Sequence, residues 1–76
     1  MGTMRILDHT GDTVVTWSVE EAATVERAEA IFEQQLSAKR LAFARPHGAQ
    51  ADSAERIYAF DPGAAEIIWV RPIQGG

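Results

Sequence analysis

Glu66-Ile67-Ile68-Trp69-Val70-Arg71-Pro72 is the most apolar run in the chain. In an extended strand, Ile67 and Trp69 point to one face, and Ile68 and Val70 to the other. Apolar side chains on both faces mark a strand in the middle of a sheet, covered on one side and partly on the other. A central strand needs neighbours, and the rest of the chain must supply them.

Upstream, Asp61-Pro62-Gly63 is a turn, with Pro62 presetting φ and Gly63 expected to take the unusual dihedral. Arg56 to Phe60 (RIYAF) is a strand candidate, and Leu41 to Arg45 (LAFAR) is a short strand. Residues 46–55 read as a loop, since Pro46, Gly48, Asp52 and Ser53 disfavour regular structure. Ser18 to Arg40 reads as a helix. Val25, Ala28, Phe32 and Leu36 recur at helical spacing with Ile31 beside them, a stripe that faces a core. Ser18 and Glu21 have the spacing of a capping box, and Glu20 and Glu21 suit the positive end of the helix dipole. Lys39 and Arg40 close the negative end. Met4 to Asp8 and Thr13 to Trp17 read as a β-hairpin about Thr10-Gly11-Asp12, where Gly11 supplies a positive φ. The order is β-β-α-β-β-β, with one strand possible as a mere turn. One helix with four or five strands gives an α+β domain, the helix packed across one face of the sheet.

Composition narrows the function. The 76 residues are 46% hydrophobic and 24% charged, ordinary for a single globular domain. A chain this short buries only about 60% of its unfolded surface, so a roomy internal active site would consume core. Binding and carrier roles are favoured over enzyme roles. The absence of cysteine excludes disulfides, thiolate metal sites and a cysteine nucleophile, and fits a cytoplasmic protein. There is no apolar run of about 18 residues to span a membrane. With 11 acids, 7 bases and a formal charge of −4, the chain offers no basic face for nucleic acid. An acidic domain suits a protein partner with a basic groove. Asp8, His9 and Asp12 surround the first turn, but two acids and a histidine there read as solvated groups. No metal and no cofactor is expected. Glu26, Glu29 and Glu33 share one helix side and read as a solvated face.

The end of the chain carries a resemblance. A hairpin, a long helix, then strands ending in a central strand is the order of the β-grasp fold. Glu66 to Gly76, EIIWVRPIQGG, resembles the C-terminal segment of the ubiquitin-like superfamily, including the small sulfur carriers of molybdopterin and thiamin synthesis. Acid, apolar strand, proline, β-branched residue, small or polar residue and Gly-Gly align with carrier tails of the PPVAGG kind. Pro72 and Gln74 stand where ubiquitin, ending LRLRGG, has arginines, which argues against a eukaryotic type of activating partner. Residues 45–60 match neither family.

The resemblance implies a β-grasp domain over residues 1–71 and a flexible tail over 72–76. It implies activation of the Gly76 carboxylate by an E1-like adenylating enzyme that uses ATP, then transfer of the acyl group to sulfur or to an acceptor protein. Gly75 and Gly76 would thread a narrow channel because they lack β-carbons. Arg71, Pro72, Ile73 and Gln74 would be read by the partner, with Pro72 holding the tail extended. By the same analogy Ile67 and Trp69 face the core, and Ile68 and Val70 form a partner-binding patch on the outer sheet face. The competing expectation is that residues 46–60 cover that face. Lys39 is the only lysine, which disfavours long mixed chains. The implied protein is a monomer and a substrate, not an enzyme. The alternative is an acidic interaction module whose Gly-Gly is an inert end, since termini are often small and disordered.

Overall fold

The computed structural model describes residues 1–8, 11–47 and 54–71. Its elements are β1 (Gly2–Asp8), β2 (Gly11–Trp17), α1 (Ala22–Ser37), β3 (Leu41–Pro46), β4 (Glu55–Ile57) and β5 (Ala64–Val70). The strands form one sheet in the order β2-β1-β5-β3-β4. β5 is central, as its two apolar faces required. It runs parallel to β1, with Met4 opposite Ile67 and Ile6 opposite Trp69. It runs antiparallel to β3, with Ala42 opposite Trp69 and Phe43 opposite Ile68. The expected α+β arrangement, one helix across a mixed sheet, is what forms, and it is compatible with the β-grasp fold.

Alternation decides what the helix covers. Met4, Ile6, Val15, Trp17, Ala42, Ala44, Ile67 and Trp69 point inward and are buried, with Ala28 and Phe32 of the helix against them. Val25, Ile31 and Leu36 flank this cluster, so the helical stripe sits where its spacing placed it. Phe32 lies 4.8 Å from the Trp69 ring. Phe60 then bridges, 5.9 Å from Phe32 and 5.0 Å from Trp17 in edge-to-face contacts. The Nε1 of Trp17 donates to the carbonyl of Pro62 at 3.0 Å. The Nε1 of Trp69 is buried with no partner among the described residues, a cost of about 1–3 kcal/mol that the surrounding aromatic packing offsets.

Several local expectations are corrected. The helix begins at Ala22, and Ser18 and Glu21 do not form a capping box. Glu21 takes the N-cap position without a side-chain bond. Thr24 instead ties the preceding turn to the helix: its Oγ1 accepts from the Ser18 amide at 2.9 Å and lies 2.7 Å from the Glu21 carbonyl. A hydroxyl inside the first turn reaches both groups, whereas Ser18 is held back in a turn by the Glu21 amide on its carbonyl at 2.9 Å. The hairpin is also tighter than expected. Asp8 pairs with Gly11 and Leu7 with Asp12, so the connection is residues 9–10, which lie outside the described residues. Gly11 does carry the positive φ, at 124°.

Gly63 does not take a positive φ. The turn closes with the Ala64 amide on the Asp61 carbonyl at 3.1 Å, and the Asp61 carboxylate accepts from the Gly63 amide at 2.9 Å. The aspartate side chain fixes the turn that glycine was expected to make possible. β4 stops at Ile57, before Tyr58 to Phe60, because Phe60 leaves the strand path to join the aromatic cluster. A bulge in β5 lets Arg45 pair with Glu66 while Pro46 pairs with Ala64. The extra residue rephases the strand, so Ala64 and Ile67 are both buried.

Two positions yield predictions. Gly2 lies opposite Trp17, and a β-carbon there would sit inside the indole ring. Gly2→Ala should lower stability by about 1–3 kcal/mol, read as a drop in melting temperature. An unchanged melting temperature would show that the indole does not rest on Gly2. Lys39 follows the helix at a φ of 64°. The Lys39 amide bonds the Leu36 carbonyl and the Arg40 amide the Gln35 carbonyl, a Schellman closure that favours glycine at this position. Lys39→Gly should stabilise by about 1 kcal/mol, raising the melting temperature by roughly 4–8 °C. A lower melting temperature would refute the left-handed assignment.

Candidate functional site

The helix occupies the inner face of the sheet, so the outer face is where this small domain can meet another molecule. Alternation puts Arg5 and Leu7 of β1, Val14 and Thr16 of β2, Leu41, Phe43 and Arg45 of β3, and Ile68 and Val70 of β5 on that face. One row crosses the whole sheet: Val14 opposite Arg5, Arg5 opposite Ile68, Ile68 opposite Phe43, and Phe43 opposite Arg56 of β4. The next row toward the end of β5 pairs Val70 with Leu41.

Ile67 and Trp69 are buried at 0% and 1% exposure, which leaves Ile68 and Val70 outside, half-buried by their neighbours. Leu7 is 46% exposed and Val14 53%. An apolar group on an otherwise solvated face marks a contact surface more often than chance. Among the described residues of segment 46–60, Glu55 to Ile57 extends the sheet at its edge. Phe60 packs on the helix side. Residues 48–53 lie outside the described residues.

The two ends of this face differ. Toward the start of β5, the Glu66 carboxylate sits between two arginines, with Arg5 Nε at 3.0 Å and Arg45 Nε at 3.7 Å. Such half-exposed pairs add little stability, but they fix the side chains that border the apolar rows. Arg56 lies at the β4 edge with its guanidinium 4.7 Å above the Tyr58 ring. Toward the other end of β5 lie Val70 and Leu41, and there Arg71 leaves the sheet, exposed. Pro72, Ile73, Gln74, Gly75 and Gly76 lie outside the described residues.

Charge is thus divided between the layers. Glu20, Glu21, Glu26, Glu29 and Glu33 are exposed along the helix and the approach to it, while Arg5, Arg45 and Arg56 lie on the sheet face with Glu66 among them. A net charge of −4 suggested a partner with a basic groove. The outer face has the opposite character and complements an apolar surface with acidic margins. Sequence reading found Ile68 and Val70 but missed Leu7, Val14, Leu41 and Phe43. The signal was present in β3, where Leu41 and Phe43 alternate with Ala42 and Ala44. The small residues face inward because Phe32 and Trp69 already fill the core there, and this leaves the large residues outside.

Two shallow depressions lie elsewhere. One of about 290 Å³ is lined by Ala44, Pro46, Glu55, Ile57 and Asp61. The other, about 330 Å³, lies between the helix start and the β4–β5 turn, lined by Val19, Ala22, Val25, Glu26 and Pro62. The carboxylates of the first face no nucleophile among its lining residues, and the second is mostly apolar. Among the described residues no group of three histidines or acids is placed to hold a metal, and no helix is long and apolar enough to cross a membrane. No family model, no curated protein and no solved structure matches the chain.

Proposed function

We propose that this chain is a protein substrate, a ubiquitin-like or sulfur-carrier protein whose Gly76 carboxylate is activated by an E1-like adenylating enzyme. The supporting observation is the position of β5. It is the central strand, its outer side chains Ile68 and Val70 belong to the apolar face, and the RPIQGG sequence continues from the end where Val70 and Leu41 lie. A partner seated on that face would be close to the start of the tail.

The chemistry belongs to the partner. A Gly76 carboxylate oxygen attacks the α-phosphate of ATP, pyrophosphate leaves, and an acyl-adenylate forms. A sulfur nucleophile then displaces AMP to give a thiocarboxylate, or a lysine amine displaces it to give an isopeptide. Gly75 and Gly76 admit the carboxylate to a channel that excludes water, since the adenylate hydrolyses. Arg71, Pro72, Ile73 and Gln74 are the residues the partner reads on the way in. A cytoplasmic setting supplies the ATP.

A second reading is favoured by the exposure of Leu7 and Val14. Here the domain is a non-catalytic interaction module that uses the outer face, and the Gly-Gly is inert.

The mass of the C-terminal peptide, taken from the protein isolated from its native cells, tests the first reading. A sulfur-for-oxygen change identifies a carrier, and a branched peptide joined through Gly76 identifies a modifier. An unmodified carboxylate in every molecule, under conditions where the protein is active, refutes it and leaves the module. Deleting Gly76 should abolish the modified form while partner binding persists. Ile68→Glu should lower the modified fraction severalfold with the tail intact, because a charge at the middle of the contact face costs about 2 kcal/mol or more. A modified fraction unchanged by Ile68→Glu would place the docking surface elsewhere.

A further inference from the structure

The two edges of the sheet are built differently. The β4 edge is three residues long, carries Glu55 and Arg56, and borders a strand that ends in Pro46. These are the devices by which natural sheets discourage pairing at an edge. The β2 edge has fewer of them, its one charged residue being Asp12 near its start. It is seven residues long, Gly11-Asp12-Thr13-Val14-Val15-Thr16-Trp17, with no proline, no lysine or arginine and four β-branched residues. It pairs with β1 along its whole length, with no bulge in the register. Among the described residues, no strand pairs with its other side.

We propose that β2 is a homodimerisation edge, joining two copies of this chain through antiparallel β2–β2 pairing into a ten-stranded sheet. The strand is complementary to itself. One two-fold register pairs all seven residues, and it places Val14 opposite Val14 of the second copy. Thr13 then meets Val15, Asp12 meets Thr16 and Gly11 meets Trp17. The strand's only charged residue is therefore at a register position opposite a threonine, and no two like-charged positions pair. β-Branched residues opposite one another are favourable cross-strand pairs. Residues directly opposite in an antiparallel pair share a face, so the outer faces of the two copies become continuous. Val14, 53% exposed in the single chain, gains an apolar neighbour at the axis.

Size and charge set the strength. One strand pair buries less than the roughly 1,200 Å² of a standard interface, so the dimer is weak and reversible. Both helices lie on the same face of the joined sheet, and their exposed glutamates, Glu26, Glu29 and Glu33, repel. Added salt screens that repulsion and tightens the dimer. The inference is independent of what happens at Gly76, and it differs from the monomer expected from the sequence.

Sedimentation velocity over a concentration series tests it, with far-UV circular dichroism to confirm that each variant is folded. The native chain should show a monomer–dimer equilibrium that shifts toward dimer as concentration or salt rises. Val14→Lys and Val14→Glu should each lose the dimer, since like charges then meet at the axis. Mixing the two variants should restore it as a heterodimer. Amide hydrogen exchange on the native chain needs no variant and should show β2 amides gaining protection as concentration rises. A native chain that remains monomeric throughout overturns the proposal and leaves the edge to a strand of another protein. A dimer that survives both Val14 substitutions, or β2 amides indifferent to concentration, overturns it equally.

Discussion

The fold depends on β5 being paired on both sides. Its parallel partner β1 is the first strand of the chain, so the sheet closes only when the two ends of the sequence meet. That contact spans nearly the whole chain, and its loop-closure entropy must be met before any other contact of β5 with β1 repays it. The hairpin and the helix are local and form at little entropic cost. β3 approaches β5 through a connection of moderate length. What holds the last step is the burial of Ile67 and Trp69 against Met4, Ile6 and Phe32. Long-range parallel pairing of this sort is intrinsically slow. The domain's cooperativity therefore rests on one strand, and the sequence stretch that proposes a function follows directly after it.

The aromatic cluster explains why a short chain suffices. Trp17, Phe32, Phe60 and Trp69 come from a strand, the helix, a turn and the central strand. Large rings give more buried area per ordered residue than aliphatic side chains do. The accommodation they require is visible on every side. Gly2 stays bare beneath Trp17, Ala42 and Ala44 stay small beside Trp69, and Ala28 lets the helix approach. Ala64 is brought into the same layer by the bulge in β5. The small residues of this sequence are thus an imprint of its large ones.

That relation also separates what the sequence revealed from what it hid. Periodicity placed the helix stripe of Val25, Ala28, Phe32 and Leu36 and separated Ile67 and Trp69 from Ile68 and Val70, because each set is spaced by the geometry of its own element. Which pair of β5 faces the helix came from the β-grasp resemblance, not from spacing. The misreadings arose where two elements negotiate. Ser18 and Glu21 have the spacing of a capping box, yet no side chain caps the helix start. Ser18 sits in a turn ahead of the helix, and Thr24 ties its amide and carbonyl to the first turn. Phe60 looks like the end of a strand, but the space between Trp17 and Phe32 draws it out of line. The outer face was half legible. Ile68 and Val70 lie in the most conspicuous apolar run, whereas Leu7, Val14 and Phe43 belong to three other strands and are brought to one face only by the register of the sheet.

With one face of the sheet spent on the helix, two surfaces remain for recognition: the outer face and the edges. They ask different things of a sequence. A face recognises through side chains, and here it offers apolar residues interspersed with Arg5, Arg45 and Arg56, while five glutamates line the helix and its approach on the other layer. An edge recognises through backbone, and needs only length, regularity and the absence of obstacles. β2 has these properties and β4 lacks them, although both close the same sheet. Defending one edge and leaving the other open keeps the interface in the plane of the sheet. A second copy seated at β2 lies beside the outer face and does not cover it. The apolar rows around Ile68 and the strand that leads to Gly76 stay accessible from each copy, so pairing at the edge and recognition at the face can proceed together.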